Sequence, residues 1–221
     1  LQLGVFTPLM RNHSALHTRD QEIYRFGMQE DMKNILTVRY ALLPYLYSEF
    51  MKCALTGGSM FRPMAFDYPD DPTCLRIEDQ VLLGSECMIA PVYECNARGR
   101  YVYLPEDMLL VRFRSAEDYD LIPMEKGRHW IDLELNELPL FIRKGCVIPM
   151  SRGGEWVEQV DFANLTLLGW VQAASFYKLY NDDGYTTKPV LEDGMTAITL
   201  EVKDGKAVAK GEGLTVDASK V

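Results

Sequence analysis

The sequence has few of the residues that bind metals or form disulfide frameworks. It contains only three histidines, and its five cysteines are widely spaced, with no C-x-x-C pair. Structural zinc sites need four ligands at short spacings, and disulfide scaffolds need a dense, even set of cysteines. We therefore predict no metal and no cofactor, and we expect free thiols in a reducing compartment. The cysteines are Cys53, Cys74, Cys87, Cys95 and Cys146.

Excess positive charge and long apolar runs are also missing. The net charge of −9 would repel a nucleic acid, whose binding depends on Lys and Arg neutralising phosphates. No run of about 18 apolar residues could span a membrane, and the first residues lack the basic region of a signal peptide. The sequence thus predicts no nucleic-acid partner, no membrane partner and a cytoplasmic location, although a truncated chain would have lost a signal peptide.

What is present is typical of a globular protein, with 48% of the 221 residues hydrophobic and 25% charged. The chain opens with an almost continuous apolar run, Leu1 to Met10, followed by Arg11-Asn12-His13-Ser14. We predict that this run is a buried β-strand that presents polar side chains at its far end, as in barrel enzymes. A complete eight-fold barrel needs about 250 residues, so we expect this chain to be the last part of a larger enzyme.

Two helices are predicted next. A capping-box pattern at residues 18–27 predicts a short helix. Apolar residues at three- and four-residue spacing from Met32 to Leu55 predict a much longer one that ends at Gly57. Because proline lacks a backbone donor, Pro44 predicts a kink inside this long helix.

From Ser59 onward, short β-like runs separated by Pro, Gly and Asp predict an antiparallel sandwich, because no helical pattern lies between them. A brief helix is expected at Val81–Gly84, and the sequence Ser151-Arg152-Gly153-Gly154 marks a boundary before a second, smaller β-domain. Asp-Gly turns are predicted at 181–184 and 203–206. The predicted strands are 60–68, 87–93, 100–104, 109–114, 129–135, 140–148, 165–170, 175–180, 197–202 and 207–210.

Two pairs of adjacent carboxylates are candidates for acid–base chemistry. Asp70-Asp71 lies between two prolines, and Asp182-Asp183 precedes Gly184. A retaining glycosidase needs carboxyls about 5 to 5.5 Å apart that face one bond, whereas adjacent residues of a strand point to opposite faces. We therefore interpret both pairs as turns.

His13 and Arg11 remain as candidate ligand-binding residues. A histidine packed inside a core is the alternative for His13, but the apolar run before it favours contact with a polar ligand. One hydrogen bond to a sugar hydroxyl contributes about 1 to 3 kcal/mol, whereas enzymes lower barriers by about 8 to 23 kcal/mol. His13 could orient a sugar, and carboxylates from outside this chain would be needed to cleave one.

Motifs along nearly the whole chain carry a family resemblance. Gln2-Leu3-Gly4 with Arg11-Asn12-His13, and then Arg39 to Tyr47, resemble the last barrel strand and the final barrel helix of glycoside hydrolase family 31, the α-glucosidase and α-xylosidase family. Leu179 to Gly184 resembles a turn in its distal β-domain. Five further segments resemble the family's proximal β-sandwich: Leu83-Gly84, Ile89-Ala90-Pro91-Val92, Tyr103-Leu104-Pro105, Pro139 to Gly145 and Ile148-Pro149.

The resemblance implies a mainly β chain. Residues 1–58 would be the last strand and helices of a (β/α)8 barrel, residues 59–152 a proximal antiparallel β-sandwich, and residues 153–221 a small distal β-domain. The parent enzyme would be a retaining α-glucosidase that hydrolyses terminal, non-reducing α-linked glucose from oligosaccharides.

The resemblance also implies roles for individual residues. The family histidine that matches His13 binds hydroxyls of the sugar, and Arg11 matches a position near the pocket with a binding or a structural role. Both catalytic aspartates lie on earlier barrel strands, so we expect no catalytic residue in this chain and no activity from it alone.

Two alternatives stay open. The parent could be an α-xylosidase of the same family, or the chain could be an accessory sugar-binding or structural β-sandwich module without a catalytic role. Aromatic side chains could then form a stacking platform for sugars, although core packing is the favoured explanation for them. An uncovered apolar face at 32–55 also predicts self-association. The aromatic residues are Tyr101, Tyr103, Trp130, Trp156 and Trp170.

Overall fold

The chain is mainly β, as predicted, and a computed structural model describes residues 1–182, 184–185 and 194–221. No helix in these ranges is long and apolar enough to cross a membrane. The described α-helices are α1 (Gln29–Ala41), α2 (Leu43–Thr56) and α3 (Met64–Asp67), and short 3-10 helices cover Gly4–Phe6, Ile23–Arg25, Cys74–Arg76 and Val157–Gln159. The strands are β1 (Phe61–Pro63), β2 (Val81–Leu83), β3 (Cys87–Ile89), β4 (Gly99–Leu104), β5 (Met108–Phe113), β6 (Tyr119–Met124), β7 (Gly127–Asp132), β8 (Leu138–Arg143), β9 (Val147–Met150), β10 (Asn164–Gly169), β11 (Ala174–Tyr180), β12 (Met195–Lys203), β13 (Lys206–Gly211) and β14 (Thr215–Lys220).

The predicted long helix is present as two helices, α1 and α2, that meet at Leu42. Pro44 lies in the first turn of α2, where a backbone N–H has no acceptor within the helix, so proline loses no hydrogen bond there. The helix ends at Gly57, whose φ of 76° is left-handed and whose N–H donates to the Cys53 carbonyl at 2.8 Å. The predicted break and the predicted end are both confirmed.

The apolar side of these helices packs on β-structure. Ile35, Val38, Leu42 and Tyr45 are at most 2% exposed and share one core with β5, β8 and β11. The expectation of a wholly uncovered helix face was therefore wrong, because covering it with strands removes its apolar surface from water. Phe50 on α2 remains 47% exposed.

A six-stranded antiparallel sheet has the order β1-β2-β3-β8-β5-β6, and its central strands β3, β8 and β5 are buried on both faces. Along β5, Leu109 and Val111 face the core shared with the helices, whereas Met108 and Leu110 face a second core. Successive strand residues point to opposite faces, so a strand covered on both sides is apolar along most of its length, as β5 is apart from Arg112.

The two-stranded sheet β4–β7 covers the second face and completes the predicted antiparallel sandwich. Val102 and Leu104 of β4 and Ile131 of β7 point inward to the second core. By the same alternation, Tyr101 and Trp130 point outward on the other side of β4–β7.

Two three-stranded sheets follow in the C-terminal part. One has the order β11-β12-β13, and the other places β10 between β14 and β9, parallel to the first and antiparallel to the second. Strand β9 lies before residue 152 and pairs with β10 after it, so a sheet crosses this point of the chain. The domain boundaries at 58/59 and 152/153 stay predictions.

The turn predicted at 203–206 is confirmed. Lys203 pairs with Lys206, and Asp204 (φ 51°) and Gly205 (φ 71°) have the left-handed conformation of a tight hairpin. The turn predicted at 181–184 includes Asp183, which lies outside the described residues.

Two predictions for the first 27 residues were wrong. The opening run is not a strand but contains the 3-10 helix Gly4–Phe6, because no described strand runs alongside to accept its backbone hydrogen bonds. The short helix predicted at 18–27 is a 3-10 turn at Ile23–Arg25. Thr18 does not cap it, since its hydroxyl donates to the Ala15 carbonyl at 2.6 Å.

Local assignments in the sandwich also need correction. Residues 81–83 form strand β2, between β1 and β3, and not a helix. The strand predicted at 60–68 stops at Pro63, where α3 begins. The strand predicted at 140–148 is two strands, β8 and β9, and the strands β6 and β14 were missed.

Candidate functional site

The opening segment, residues 1–14, is fixed on α1 by Arg39. The Arg39 guanidinium donates to the carbonyls of Val5 at 2.8 Å and Thr7 at 2.7 Å, and it also reaches those of Gly4 and Pro8. Burial lowers the pKa of Arg39 from its usual value. Four carbonyl dipoles offset this desolvation, so the charge itself holds the segment in place.

Gln2 connects the same segment to the sandwich. Its side-chain amide donates to the Glu137 carbonyl at 2.7 Å and accepts the backbone N–H of Val92 at 2.7 Å. Val5 and Phe6 between these anchors are fully buried. The polar residues that follow are therefore carried on a backbone fixed at both α1 and the sandwich.

Arg11 and His13 lie together at the exposed end of the opening segment. Arg11 Nη2 is 3.3 Å from His13 Nδ1. A guanidinium has only donors, so this contact assigns the acceptor role to Nδ1 and the proton of the neutral imidazole to Nε2. The pair thus presents an imidazole N–H donor and a guanidinium to solvent, and the exposure of His13 excludes the alternative of a histidine packed inside a core.

Asn12 between them points elsewhere. Its side-chain amide donates to the Gln21 carbonyl and so closes the loop of residues 12–21. The motif therefore divides into two outward side chains and one that braces the loop.

Reasoning from sequence missed Arg39 and Gln2 as the residues that position this pair. Arg39 is spaced four residues from Ile35 and three from Leu42, on the apolar side of the helix. A guanidinium on such a face needs acceptors, and this was the signal that could have identified it. Gln2 gave no comparable signal, because its partners are backbone groups far along the chain.

One described member of each carboxylate pair, Asp71 and Asp182, serves a turn and packing. Asp71 accepts the Thr73 N–H at 2.9 Å and the Tyr103 hydroxyl at 2.7 Å. Asp182 accepts the Tyr47 hydroxyl and the Gly184 N–H. Within the ranges the structure describes, no group of three or more His, Cys, Asp or Glu side chains is arranged to hold a metal ion.

A second polar group, the buried cluster of Tyr45, Glu49, Lys52, Glu86 and Tyr177, lies between α2, the β2–β3 turn and β11. The Tyr177 hydroxyl donates to Glu49 Oε1 at 2.9 Å, and Lys52 Nζ pairs with the same oxygen at 2.5 Å. The Tyr45 hydroxyl donates to the Leu83 carbonyl at 2.6 Å. These bonds join a helix, a turn and a distal strand through side chains that are buried or partly buried.

Burial and the neighbouring Glu49 raise the pKa of Glu86. Its Oε2 lies 3.2 Å from the Tyr45 hydroxyl, whose only proton already goes to the Leu83 carbonyl. A protonated Glu86 carboxyl can donate across this contact, and an ionised one cannot. The Ser85 N–H, which donates to the same oxygen at 3.1 Å, acts in the opposite direction, but burial and Glu49 prevail and the pKa of Glu86 stays raised.

Comparison with known proteins connects this architecture to sugar-cleaving enzymes. Residues 1–49 match the family model "Glycosyl hydrolases family 31 TIM-barrel domain", and residues 57–148 match "Glycosyl hydrolase family 31 C-terminal domain". Together the two models match more than half of the chain. The chain is thus the end of a glycoside hydrolase barrel followed by β-domains.

Individual relatives extend the match to nearly the whole chain. Alpha-glucosidase 2 of Bacillus thermoamyloliquefaciens is 33% identical over 96% of this chain and 27% of its own length. Lysosomal alpha-glucosidase of Mus musculus is 28% identical over 100% of this chain and 25% of its own length. The crystal structure of the GH31 alpha-xylosidase of Xanthomonas citri superposes with a TM-score of 0.74 at 32% identity, over 93% of this chain and 22% of that one.

The chain belongs to glycoside hydrolase family 31. It spans about a quarter of the length of the relatives it matches. The predicted family and the predicted fold class are both confirmed.

Proposed function

We propose that the protein containing this chain is a retaining α-glucosidase that removes terminal, non-reducing α-linked glucose from oligosaccharides. The relationship to two α-glucosidases over nearly the full chain supports this activity. Residues 1–58 would end the catalytic barrel, and residues 59–152 and 153–221 would form the proximal and distal β-domains.

The Arg11–His13 contact carries the assignment of substrate binding to this chain. With Nδ1 accepting from Arg11, the Nε2–H of His13 is free to donate to a sugar hydroxyl. Arg11 fixes the tautomer and the ring orientation, and its own guanidinium faces the same solvent. We assign His13 as the direct sugar contact and Arg11 as a binding residue that also positions it.

The chain alone is proposed to be inactive. Asp71 and Asp182 accept hydrogen bonds within turns, and a hydrogen bond from His13 is far smaller than the barrier reduction that glycoside hydrolysis requires. The 221-residue chain should release no p-nitrophenol from p-nitrophenyl α-glucoside, and steady turnover by the purified chain would overturn this part of the proposal.

The test of His13 uses the longer protein that contains this chain. We expect His13→Ala to lower kcat/KM for the α-glucoside by roughly 5- to 150-fold, the equivalent of one lost hydrogen bond of about 1 to 3 kcal/mol. The matched control is His17→Asn, which alters an exposed histidine of the same loop and suits its left-handed φ of 64°. Equal activity of His13→Ala and the control would exclude a substrate contact.

The sugar preference is tested in the same assay with p-nitrophenyl α-xyloside. A higher kcat/KM for the xyloside would select the α-xylosidase alternative, which the relationship to the Xanthomonas citri enzyme keeps open.

A cytoplasmic location is proposed as well. All five cysteines are free thiols in the structure, and some are buried where oxidation would disrupt packing. A fluorescent fusion found inside an oxidising compartment would contradict this location.

A further inference from the structure

Two exposed aromatic rings meet on the outward side of β4–β7, and a third lines the same cavity. Tyr101 and Trp130 are directly opposite each other across the two strands, with ring centroids 5.0 Å apart. They are 61% and 49% exposed, and nearby Tyr93 is 66% exposed. Core packing, the favoured expectation from sequence, is therefore wrong for Tyr101 and Trp130. Large apolar side chains grouped on a surface mark binding sites more often than packing.

These rings border a cavity of about 420 Å³, here named the aromatic cavity. It lies beside the loop before β4, and Asp79, Glu94 and Arg100 contribute charged groups to its lining. Its volume is within the usual range of about 300 to 1,000 Å³ for small-molecule sites. None of residues 1–58 lines it, so it is separate from the Arg11–His13 pair.

The polar groups of the aromatic cavity are fixed before any ligand binds. Arg100, 9% exposed, donates to the Pro91 carbonyl at 2.7 Å and pairs with Asp79 Oδ2 at 2.5 Å. The Tyr93 hydroxyl lies 3.3 Å from the same carboxylate oxygen. These contacts hold Asp79 at the edge of the cavity while its side chain stays 41% exposed.

Trp130 is also held in one orientation. Its indole N–H donates to Asp132 Oδ1 at 2.6 Å, so the ring cannot rotate freely on the strand. A fixed, exposed ring loses little conformational entropy when a ligand stacks on it. The site thus combines rigid aromatic surfaces with an oriented carboxylate and a buried guanidinium.

A sugar is the ligand that fits this combination. A pyranose ring has an apolar C–H face that stacks on an aromatic ring, and hydroxyls at its edge that donate to a carboxylate. The lining has two acidic groups, Asp79 and Glu94, and two basic groups, Arg98 and Arg100, so the aromatic cavity carries no net charge that would select an ionic ligand. The net charge of −9 on the whole chain disfavours a polyanion.

We propose that the aromatic cavity is an accessory binding site for α-linked glucose oligosaccharides, separate from the site of cleavage. The class of ligand rests on the proposed α-glucosidase function, because the protein would gain a local supply of the chains it shortens. Binding there would hold a long substrate on the protein between cleavage events.

The direct test is an NMR titration of the full 221-residue chain with maltotetraose. The chain has three tryptophans, so three indole N–H signals are expected, and Trp130→Phe identifies the one from Trp130. We expect the Trp130 signal to shift on addition of millimolar maltotetraose, and the signals of Trp156 and Trp170 to stay in place. No shift of Trp130 up to about 20 mM sugar, a concentration that would detect weak millimolar binding, would overturn the proposal.

Calorimetry on variants gives the second readout. Trp130→Ala should weaken maltotetraose binding at least tenfold, whereas Trp156→Ala removes an equally exposed tryptophan outside the cavity and should leave it unchanged. Equal loss in both variants, or none in either, would overturn the assignment of the site. Cellotetraose binding as tightly as maltotetraose would overturn the preference for α-linked chains.

These measurements separate this proposal from the proposed function. Neither one depends on hydrolysis, so a missing Trp130 shift in a protein whose longer form cleaves α-glucosides rejects only the accessory site. An inactive longer protein with a clear Trp130 shift would reject only the α-glucosidase activity. The titration is repeated on the longer protein, where loss of the shift would also overturn the accessory site.

Discussion

The Arg11–His13 pair and the buried cluster around Glu49 are both built from titratable side chains, but they differ in what their polar atoms face. The pair lies at the surface, is joined by one 3.3 Å contact and depends for its position on backbone held by Arg39. The buried cluster binds its own members and the neighbouring backbone. The first arrangement leaves donors for a ligand, and the second uses them to join parts of the fold.

Because of this difference, we expect substrate binding to depend on the surface pair and stability to depend on the buried cluster. Removing a group from the surface pair should change substrate binding and leave the free energy of unfolding nearly unchanged. Disturbing the buried cluster should do the opposite, because a buried polar group without its partner costs about 1 to 3 kcal/mol.

The largest effect is expected at Gly84, where the β2–β3 turn approaches the buried cluster. Gly84 has a φ of 63°, and a Cβ there would lie 2.5 Å from both Glu49 Oε2 and the Tyr45 hydroxyl oxygen. Gly84→Ala should lower the free energy of unfolding by about 2 to 5 kcal/mol, from left-handed strain and overpacking together. Urea denaturation measures this change.

Gly145→Ala is the matched control for that prediction. Gly145 also has a positive φ, 89°, but a Cβ there meets no atom within 4 Å. It should cost only the conformational part, about 1 to 2 kcal/mol. Equal losses in the two variants would show that the cluster does not constrain the turn.

The next largest effect is expected for Arg39→Met, which removes the donors that fix the opening segment. We expect a loss of about 1.5 to 3 kcal/mol, typical of hydrogen bonds from a charged group, and faster hydrogen exchange at the amides of Phe6 and Thr7. Arg25→Met is the control, since Arg25 makes an exposed 3.3 Å pair with Asp20 and should change stability by less than about 1 kcal/mol. Unchanged exchange in Arg39→Met would mean that other contacts hold the segment.

Local patterns in the sequence predicted the elements whose surroundings are uniform. The strand β5 is apolar apart from Arg112 because both of its faces are covered, and the end of α2 at Gly57 depends on one left-handed residue. In such cases the local residues alone are enough to predict the element. The same is true of the turn at Asp204-Gly205.

Elements that depend on distant partners were not predictable in this way. The strand β6 contains Pro123, which is tolerated because β6 is at the edge of its sheet. The strand β14 is mostly exposed and forms by pairing in parallel with β10, about fifty residues earlier. The apolar run Val81–Leu83 is too short to distinguish a strand from a helix by its pattern. It forms a strand because it pairs with β1 and β3 on either side.

The candidate site shows the same division. Arg11 and His13 were identified from their place after an apolar run, and the structure brings them together. The anchors Arg39 and Gln2 depend on contacts with carbonyls and amides that no sequence pattern reports. The aromatic cavity needed the register that sets Tyr101 opposite Trp130.

A smaller effect is expected in the pH dependence of stability. The pKa of Glu86 is raised in the folded chain, so the folded state binds this proton more tightly than the unfolded state does. The resulting stability is fully present below the unfolded pKa of glutamate, about 4.3, and is lost as pH rises through the folded pKa. This group therefore makes the free energy of unfolding fall with rising pH, by at most about 1.4 kcal/mol per pH unit.

Glu86→Gln should remove that decline, because the amide has nearly the same shape as the carboxyl group and does not ionise. Urea denaturation at a series of pH values compares it with Glu117→Gln, an exposed control. A decline in Glu86→Gln as steep as that of the unmodified chain would contradict the role given to Glu86.

The smallest effect on stability is expected at the exposed apolar residues near the surface pair. Leu9 is 75% exposed and Phe50 is 47% exposed. We therefore still predict self-association, although strands cover most of the apolar helix face. Leu9→Ser should change the free energy of unfolding by less than about 0.5 kcal/mol, as for most surface positions. It should nevertheless lower the average mass measured by light scattering, whereas Leu135→Ser, at a similarly exposed leucine of the sandwich, should not. A chain that is monomeric before any substitution would show that exposed apolar side chains at this surface do not drive association.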